Sequence, residues 1–360
     1  MIPWPTAISL VLATAALSAL LSWLSIHYAR RRALLDLPGQ RRSHSVPTPR
    51  GGGIGIVGAA LASCLFVYFR LEVGEDPLRL VVALTSVAAV GWIDDHRGLA
   101  ALWRLLGHIV AVLILLLPMF SDLFHPGQSA QVSATPHSVL WLAAFFALLS
   151  AFLVWSINLH NFMDGINGLL ATQAVFVCAA LGMLSLTASA PHALLLFAWA
   201  AAALGFLPFN FPRARIFMGD VGSGTLGLMI GIGMFWQMTA THTAPASGLI
   251  AGSVFVADAT CTLLSRMLAG RRWYSAHREH LYQWLVRSGF SHAAVVVLYL
   301  CWNFAVVVPV LYLANRSGAT ATDGWIGLGA AYALAAVAWV GGKRWCLRHA
   351  RRRHGAGSGH

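Results

Sequence analysis

The polar stretch NLHNFMDGING interrupts a long apolar sequence and carries the residues best suited to chemistry. Asn158, Asn161 and Asp164 are three residues apart, so a helical turn would bring them roughly onto one face. Gly165 and Gly168 allow tight turns and close approach of the backbone to a ligand. Oxygen-rich clusters of this kind suit Mg²⁺ and phosphate better than zinc. The alternative is a polar loop that merely caps two membrane helices.

Two more acidic motifs lie at the ends of apolar segments. Asp94 and Asp95 follow one such segment, and adjacent carboxylates at a membrane boundary are costly unless a cation or basic group compensates them. This pair could hold Mg²⁺, or one member could accept a proton; the alternative is a charge pair at a helix end. Asp220 stands between Gly219 and Gly222 in FMGDVGSG, which leaves room for a hydrated ion and phosphate oxygens.

Two basic segments could supply phosphate contacts. PTPRGGG at 47–53 places Arg50 before three glycines, whose N–H groups could approach an anion just before a helix begins. The segment 267–291 contains Arg278, His280 and Gln283; arginine suits bidentate phosphate contact, and histidine can donate a hydrogen bond. The alternatives are a stiff basic connector and a solvated basic loop.

The composition shows which class of protein must position these residues. Hydrophobic residues make up 58% of the 360-residue chain and charged residues 10%, whereas soluble proteins carry about 25% charged residues. This indicates a polytopic membrane protein. The net charge of +12 is then explained by basic residues in cytoplasmic loops, not by nucleic-acid binding. The five cysteines form no CxxC pair, which argues against a disulfide framework or zinc site.

Eleven apolar segments are predicted to span the membrane, because about twenty helical residues cross a hydrocarbon core of about 30 Å. The fold class is therefore an all-α bundle of about eleven transmembrane helices. Residues 1–342 form a single integral-membrane domain, and 343–360 form a basic tail. The first segment contains no Lys or Arg, so it is expected to be a retained helix and not a signal peptide. The predicted spans are 3–27, 53–70, 78–93, 105–120, 138–157, 169–187, 192–209, 224–239, 248–266, 292–314 and 323–342.

The basic residues predict the orientation of this bundle. Counting Arg266 at a span boundary, 21 of the 24 Lys and Arg residues lie on one side of the predicted topology. By the positive-inside rule that side is cytoplasmic, with the N-terminus outside and the C-terminus inside. Every motif described above falls on this side, which predicts a cytoplasmic active face. The segments on it are 28–52, 94–104, 158–168, 210–223, 267–291 and the tail.

Asp258 differs from the other carboxylates because it lies within the ninth predicted span. A charge at that depth needs a partner or a water-filled cavity. The sequence predicts that Asp258 orients a helix from inside the bundle and does not act in catalysis.

Together these motifs resemble the polyprenyl-phosphate N-acetylhexosamine-1-phosphate transferase family, also called glycosyltransferase family 4. The resemblance covers about 40–290, and its motifs occur in the family's order. Many members carry a histidine-rich HxHHR-like stretch in the last large loop, whereas this chain has HREHLYQ, which looks like the O-antigen-initiating branch. The motifs are PTPRGGG at 47–53, Asp94–Asp95, NLHNFMDGINGL at 158–169 and FMGDVGSGTLG at 217–227.

The resemblance implies a specific reaction at the cytoplasmic leaflet of the bacterial inner membrane. An N-acetylhexosamine-1-phosphate passes from a UDP-N-acetylhexosamine to undecaprenyl phosphate, UMP is released, and O-antigen or another envelope glycan is initiated. The implied cofactor is Mg²⁺, with Mn²⁺ as a substitute. Membrane lipids are expected partners, the family is compatible with a homodimer, and no nucleic acid is expected to bind. The charge of the basic tail indicates a topology anchor or a contact with anionic lipids.

The resemblance also assigns the site, since the family's acidic positions map onto the aspartates above. Asp220 is the first choice for direct Mg²⁺ ligation and Asp94 for the acceptor side. The predicted catalytic residues are Asp94, Asp95, Asp164 and His280; the substrate-binding residues are Arg50, Asn158, Asn161, Arg278 and Gln283; the metal ligands are Asp220 and Asp95.

A transporter of an anionic solute or lipid is the alternative from another class. Transporters place charge near the membrane midplane and use broken helices. Here only Asp258 is predicted near the midplane, and the acidic motifs gather at one face, which favours interfacial catalysis. A lipid-phosphate hydrolase is the alternative among enzymes, but no phosphatase signature is present. The sequence leaves the sugar open between UDP-GlcNAc and 6-deoxy-N-acetylhexosamines such as FucNAc or QuiNAc.

The topology is tested by labelling single cysteines introduced into a cysteine-free variant in intact cells. Because the basic loops are predicted to face the cytoplasm, sites within 121–137 should react with a membrane-impermeant reagent and sites within 94–104 should not. Labelling of 94–104 from outside would overturn both the topology and the cytoplasmic active face.

Overall fold

The structure is a computed structural model that describes residues 3–36, 46–71, 77–124, 136–240, 243–272 and 277–356. Parts of four segments discussed above lie outside the described residues. They are 37–45 of the first basic loop, 125–135 of the predicted external segment, 273–276 of the last basic loop and 357–360 of the tail.

The described residues fold almost entirely into α-helices. A π-helical turn, Asn303–Val307, joins the helices His292–Trp302 and Val308–Asn315, and two short strands, β1 (Leu35–Asp36) and β2 (Thr48–Pro49), pair antiparallel. The α-helices are α1 (Trp4–Arg31), α2 (Ile54–Leu71), α3 (Pro77–Arg97), α4 (Ala101–Phe124), α5 (Pro136–Phe162), α6 (Leu169–Ser185), α7 (Ala190–Asn210), α8 (Asp220–Thr239), α9 (Ser247–Ala251), α10 (Ser253–Leu268), α11 (Leu281–Arg287), α12 (His292–Trp302), α13 (Val308–Asn315) and α14 (Ala321–Ala356).

The predicted fold class, an all-α polytopic membrane protein, is confirmed. Each of the eleven predicted spans coincides with helix, although the ninth is broken at Gly252 and the tenth contains the π-helical turn. The number of helices that cross the membrane, and the side on which each terminus lies, stay predictions. Among the described residues, five helices are long and apolar enough to cross, namely Trp4–Arg31, Val139–Phe162, Ala190–Asn210, His292–Asn315 and Ala321–Ala350.

Three predicted loops are shorter in the structure because helix extends into them. The predicted loop 94–104 shrinks to 98–100, since α3 continues through the two aspartates. Gly98 ends α3 with a φ of +68° and donates its N–H to Asp94 O (2.9 Å), while the Asp94 carboxylate accepts from Leu99 N. Likewise α5 continues to Phe162, and α8 begins at Asp220 rather than at 224.

Helix α8 is the centre of the bundle, and small residues let its neighbours approach closely. It packs against α2, α3, α5 and α6, and its residues are buried almost without interruption from Val221 to Met234. A Cβ on Gly227 would lie 2.7 Å from Ser156 O, and Ser156 Oγ donates to Gly227 O (2.7 Å). Close backbone packing of this kind holds the N-terminus of α8, and hence Asp220, in a fixed place.

Asp258 joins four helices from inside the bundle, which agrees with the orienting role predicted for it. One carboxylate oxygen accepts from Leu281 N (2.7 Å) and Trp339 Nε1 (3.0 Å), and the other from Tyr299 Oη (2.7 Å). These donors belong to α11, α14 and α12, while Asp258 itself lies on α10. The buried charge is therefore compensated by hydrogen bonds to both oxygens.

Replacing Asp258 should destabilise the protein. Asp258→Asn turns one acceptor oxygen into an NH₂ group, and each buried donor left without an acceptor costs about 1–3 kcal/mol. We expect a lower midpoint of thermal unfolding in detergent and a lower yield of folded protein. Asp323→Asn is the matched control because Asp323 is exposed. Equal midpoints for the two variants would show that Asp258 does not hold the helices together.

Candidate active site

The segment after β2 is tied to the segment before α8 by backbone hydrogen bonds. Phe217 N donates to Pro49 O (2.8 Å), Gly52 N to Phe217 O (2.9 Å) and Gly53 N to Met218 O (2.8 Å). This short ladder brings together two motifs that are about 170 residues apart in sequence. It places Arg50 directly against the first residue of α8.

Asp95 caps the N-terminus of α8 from the end of α3. Its two oxygens accept from Asp220 N (2.9 Å) and Val221 N (3.2 Å), which are among the N–H groups that the first turn of a helix leaves unpaired. Arg50 Nε lies 2.8 Å from the same carboxylate, whose side chain is only 3% exposed. A carboxylate at a helix N-terminus is also favoured by the helix dipole. Both oxygens of Asp95 are thus engaged by the protein itself.

Two arginines bridge three of the predicted carboxylates. Arg50 contacts Asp95 and also Asp220 (Nη2–Oδ1 2.8 Å), and Arg104 contacts Asp94 (2.9 Å) and Asp220 (3.0 Å) through one nitrogen. Arginine suits this geometry because its planar group presents several donors and keeps its charge. The structure therefore brings Asp94, Asp95 and Asp220 into one cluster.

The loop that carries Asp164 is fixed by side chains of α7 and α11. Gly168, with a φ of +77°, donates its N–H to Asn210 Oδ1 (2.7 Å), and Asn210 Nδ2 donates to Ile216 O (3.0 Å). Tyr282 Oη donates to Phe162 O (2.9 Å) and occupies the space where a Cβ on Gly165 would stand. The glycines predicted to allow close approach thus pack against protein groups that shape the loop.

Asp164 and Asp220 line one cavity of about 300 Å³. Arg50 also lines this cavity. Most of the other polar side chains in its wall are amides, and His292 adds an imidazole. Asn161, one of these groups, donates to Ser223 Oγ (2.9 Å). The side chains that line the cavity include Asp36, Arg50, Asn161, Asp164, Asn167, Asn210, Asp220, Ser223, Gln283 and His292.

Burial makes the charges of these two carboxylates costly. It raises the pKa of Asp164 well above its ordinary value, and the neighbouring Asp220 adds to the rise. Burial likewise raises the pKa of Asp220 to about 6, with a further contribution from Asp94. A cation in the cavity would favour the ionised form of both. Within the described residues, no group of three or more His, Cys, Asp or Glu side chains is placed to hold a metal ion.

Several predicted site residues lie away from the cavity wall. Asn158 donates to Val154 O (2.8 Å) on its own helix. The His280 side chain is only 2% exposed, and burial lowers its pKa. Its Nδ1 lies 3.9 Å from the Asp258 carboxylate, and its ring stacks on Tyr282. Neither these two residues nor Arg278 is among the lining residues, whereas Gln283 is. The functional roles assigned to all of them stay predictions.

Three residues that contribute to the site were missed by the sequence analysis. Arg104 bridges two aspartates, Asn210 joins two loops, and His292 accepts from Asn167 N (3.3 Å) at the cavity. Arg104 follows Asp94 by ten residues at the start of a predicted apolar span, so its position at a membrane boundary was a usable signal. Asn210 and His292 gave no local signal of this kind.

Comparison with known proteins places this architecture in a family. The family model "Glycosyl transferase family 4" matches residues 78–237, which include Asp94, Asp95, Asp164 and Asp220. Over 309 residues the chain is 33% identical to the decaprenyl-phosphate N-acetylglucosaminephosphotransferase of Mycobacterium tuberculosis (strain ATCC 25618 / H37Rv), covering 76% of this chain and 74% of that protein. This chain belongs to glycosyl transferase family 4.

Other members of the family are more distant. The probable undecaprenyl-phosphate N-acetylglucosaminyl 1-phosphate transferase of Bacillus subtilis (strain 168) is 28% identical over 277 residues, or 74% of each chain. The phospho-N-acetylmuramoyl-pentapeptide-transferase of Bacillus pumilus (strain SAFR-032) is 28% identical over 318 residues, covering 82% of this chain and 93% of that protein. The predicted family is confirmed, and the apolar helices and these relatives identify an integral membrane protein.

The capping role of Asp95 predicts a contrast between two isosteric variants in thermal unfolding without added metal. Asp95→Asn should lower the stability by about 1–3 kcal/mol, because the new NH₂ group cannot accept from an N–H group of α8, while Arg50 keeps Asp220 as a partner. Asp164→Asn should leave stability unchanged or raise it, because burial already disfavours the charged form of Asp164. Equal losses in both variants would contradict the separate roles that we assign to these carboxylates.

Proposed function

We propose that this protein transfers an N-acetylhexosamine-1-phosphate from a UDP-sugar to a polyprenyl phosphate at the cytoplasmic face of the membrane. The observation that carries the proposal is the cavity in which Asp164, Asp220 and Arg50 meet, next to the cluster held by two arginines. The names of the relatives support the acceptor class, since two refer to decaprenyl or undecaprenyl phosphate and N-acetylglucosamine.

Mg²⁺ is the cofactor that fits this cavity best. It is typically bound by one or two carboxylates, with water and substrate phosphates as the remaining ligands, so a protein cage of three carboxylates is not needed. Asp164 and Asp220, from two different parts of the chain, would hold it, and their costly burial would be compensated by its charge. When bound, the ion would neutralise diphosphate oxygens and stabilise the charge of the transferred phosphoryl group.

The chain's own residues then have separate tasks in the reaction. An oxygen of the acceptor phosphate attacks the phosphorus that carries the sugar, and the bond from that phosphorus to the bridging oxygen breaks, so that UMP leaves. Arg50 lines the cavity and is suited to bind the anionic donor. Asp95 fixes the start of α8 and thereby Asp220. Asp94, held by Arg104, is assigned to the acceptor side.

The neutral polar lining suits the uridine and N-acetyl sugar of the donor. Asn161, Asn167, Asn210 and Gln283 offer amide donors and acceptors around the carboxylates. UDP-GlcNAc is the first donor to test, because two relatives are named for N-acetylglucosamine. O-antigen initiation remains a proposal that rests on the HREHLYQ sequence, and none of the relatives' names above refers to it.

The transporter alternative is weakened by the surroundings of Asp258. A transporter would need an available polar group at the membrane midplane, but Asp258 is occupied on both oxygens by donors of α11, α12 and α14. The carboxylates that line the polar cavity, Asp164 and Asp220 among them, lie on the predicted cytoplasmic face.

The decisive experiment measures UMP released from UDP-GlcNAc by purified protein with undecaprenyl phosphate, over a Mg²⁺ titration. Asp220→Asn removes a charge that the ion needs, so we expect turnover to fall on the order of a hundredfold or more. Asp94→Asn, Asp95→Asn and Asp164→Asn should also lose activity, while the exposed control Asp323→Asn should not.

The assay tests the metal ligand, the sugar and the transferase mechanism separately. If Asp220→Asn kept wild-type turnover and the same Mg²⁺ requirement, the metal assignment would be wrong. If other UDP-N-acetylhexosamines released UMP and UDP-GlcNAc did not, only the choice of sugar would change. If all four aspartate variants stayed active, the transferase mechanism would be refuted.

A further inference from the structure

A second cavity, of about 180 Å³, lies between α10, α11, α12 and α14 and shares no lining residue with the first. Its walls are mainly aliphatic and aromatic. Leu298, on α12, is 44% exposed, and Ala338, on α14, is also exposed, so the cavity is a groove that opens on the outer surface of the bundle. The groove is lined by Val254, Ala257, Asp258, Leu281, Leu285, Leu298, Tyr299, Trp302, Ala335, Ala338 and Trp339.

Two aromatic walls of the groove are held rigidly in place. Tyr299 Oη and Trp339 Nε1 both donate to the buried carboxylate of Asp258. Their polar atoms are thereby satisfied inside the protein, and their rings are left as apolar walls. The groove is preformed, and an apolar chain could enter it without breaking any hydrogen bond.

One cationic side chain stands at one end of this groove. Lys343 follows Trp339 by one helical turn, and its Nζ lies 4.4 Å from the Trp339 ring centroid and 3.0 Å from Ser265 Oγ. Arg344 and Arg348 are exposed on the opposite side of α14. Long basic side chains at the end of a membrane helix extend toward the headgroup region. The apolar groove and the positive charge therefore lie at successive depths along α14.

We propose that this groove binds one phospholipid of the cytoplasmic leaflet with an anionic headgroup. An acyl chain lies between α12 and α14 against Leu298 and Ala338, and the phosphate and headgroup meet Lys343. Charge complementarity selects the anionic class, because each Lys or Arg near the surface attracts anionic lipid. The buried part of the lipid gains from contact with the apolar walls, which a purely electrostatic contact would not use.

The position of α11 separates this lipid from the catalytic cavity. Leu281 and Leu285 line the groove, whereas Gln283, between them in sequence, lines the cavity with Asp164 and Asp220. The groove thus lies on the side of α11 that faces away from the carboxylates. For this reason we assign it to a structural phospholipid and not to the polyprenyl acceptor.

Native mass spectrometry of the full chain in detergent tests the proposal without any activity measurement. Wild-type protein should retain one phosphatidylglycerol per chain in preference to phosphatidylcholine with the same acyl chains. The variant Lys343→Gln should lower the affinity for phosphatidylglycerol about fivefold and leave phosphatidylcholine unaffected. Arg32→Gln, which removes an exposed charge at the end of α1, should bind like the wild type.

A second pair of variants separates a built groove from a charged surface. Ala338→Phe fills the groove and keeps Lys343, so it should lose the bound phosphatidylglycerol. Ala333→Phe, at an exposed position of the same helix outside the groove, should retain it. If Ala338→Phe bound the lipid as the wild type does, or if undecaprenyl phosphate displaced phosphatidylglycerol at equal concentration, the phospholipid assignment would be overturned. Equal affinity for both phospholipids would overturn it as well.

Discussion

The part of this protein that carries the acidic motifs depends on holding four carboxylates close together. Their mutual repulsion and burial would be prohibitive without compensation, and two arginines supply much of it by contacting two carboxylates each. Four parts of the chain must therefore meet at one point, namely the ends of α3 and β2 and the starts of α4 and α8. Asp164, in the loop after α5, is the fourth carboxylate. Its burial disfavours the charged form, which a nearby cation would stabilise.

Much of this arrangement could be predicted because the signals were local. Apolar segments of membrane-spanning length gave the helices, and carboxylates at their ends gave the acidic cluster. The cap formed by Asp95 could not be predicted, since it requires knowing that α8 begins beside α3. The surroundings of His280 could not be predicted either, because long-range packing against Asp258 and Tyr282 buries it. Its contact with phosphate stays a prediction.

The short helix α11 contributes side chains to two different cavities. Asp258 accepts from its first N–H group, and Tyr282 anchors it to the end of α5. One side of the helix then contributes to a polar cavity and the other to an apolar groove. The buried Asp258 is thus remote from the proposed chemistry, but it fixes the helix that forms a wall of the site.

The glycines around Asp220 also restrict how this site can change during evolution. A Cβ on Gly53 would stand 2.3 Å from Gly222 Cα, and one on Gly91 would stand 2.5 Å from the backbone of Asp220. A methyl group at either position could not be accommodated by trimming its neighbour, because that neighbour is backbone. A side chain at either position would require the backbone to move, so variation around the cavity is expected at side chains in its wall, such as Asn167 and Gln283.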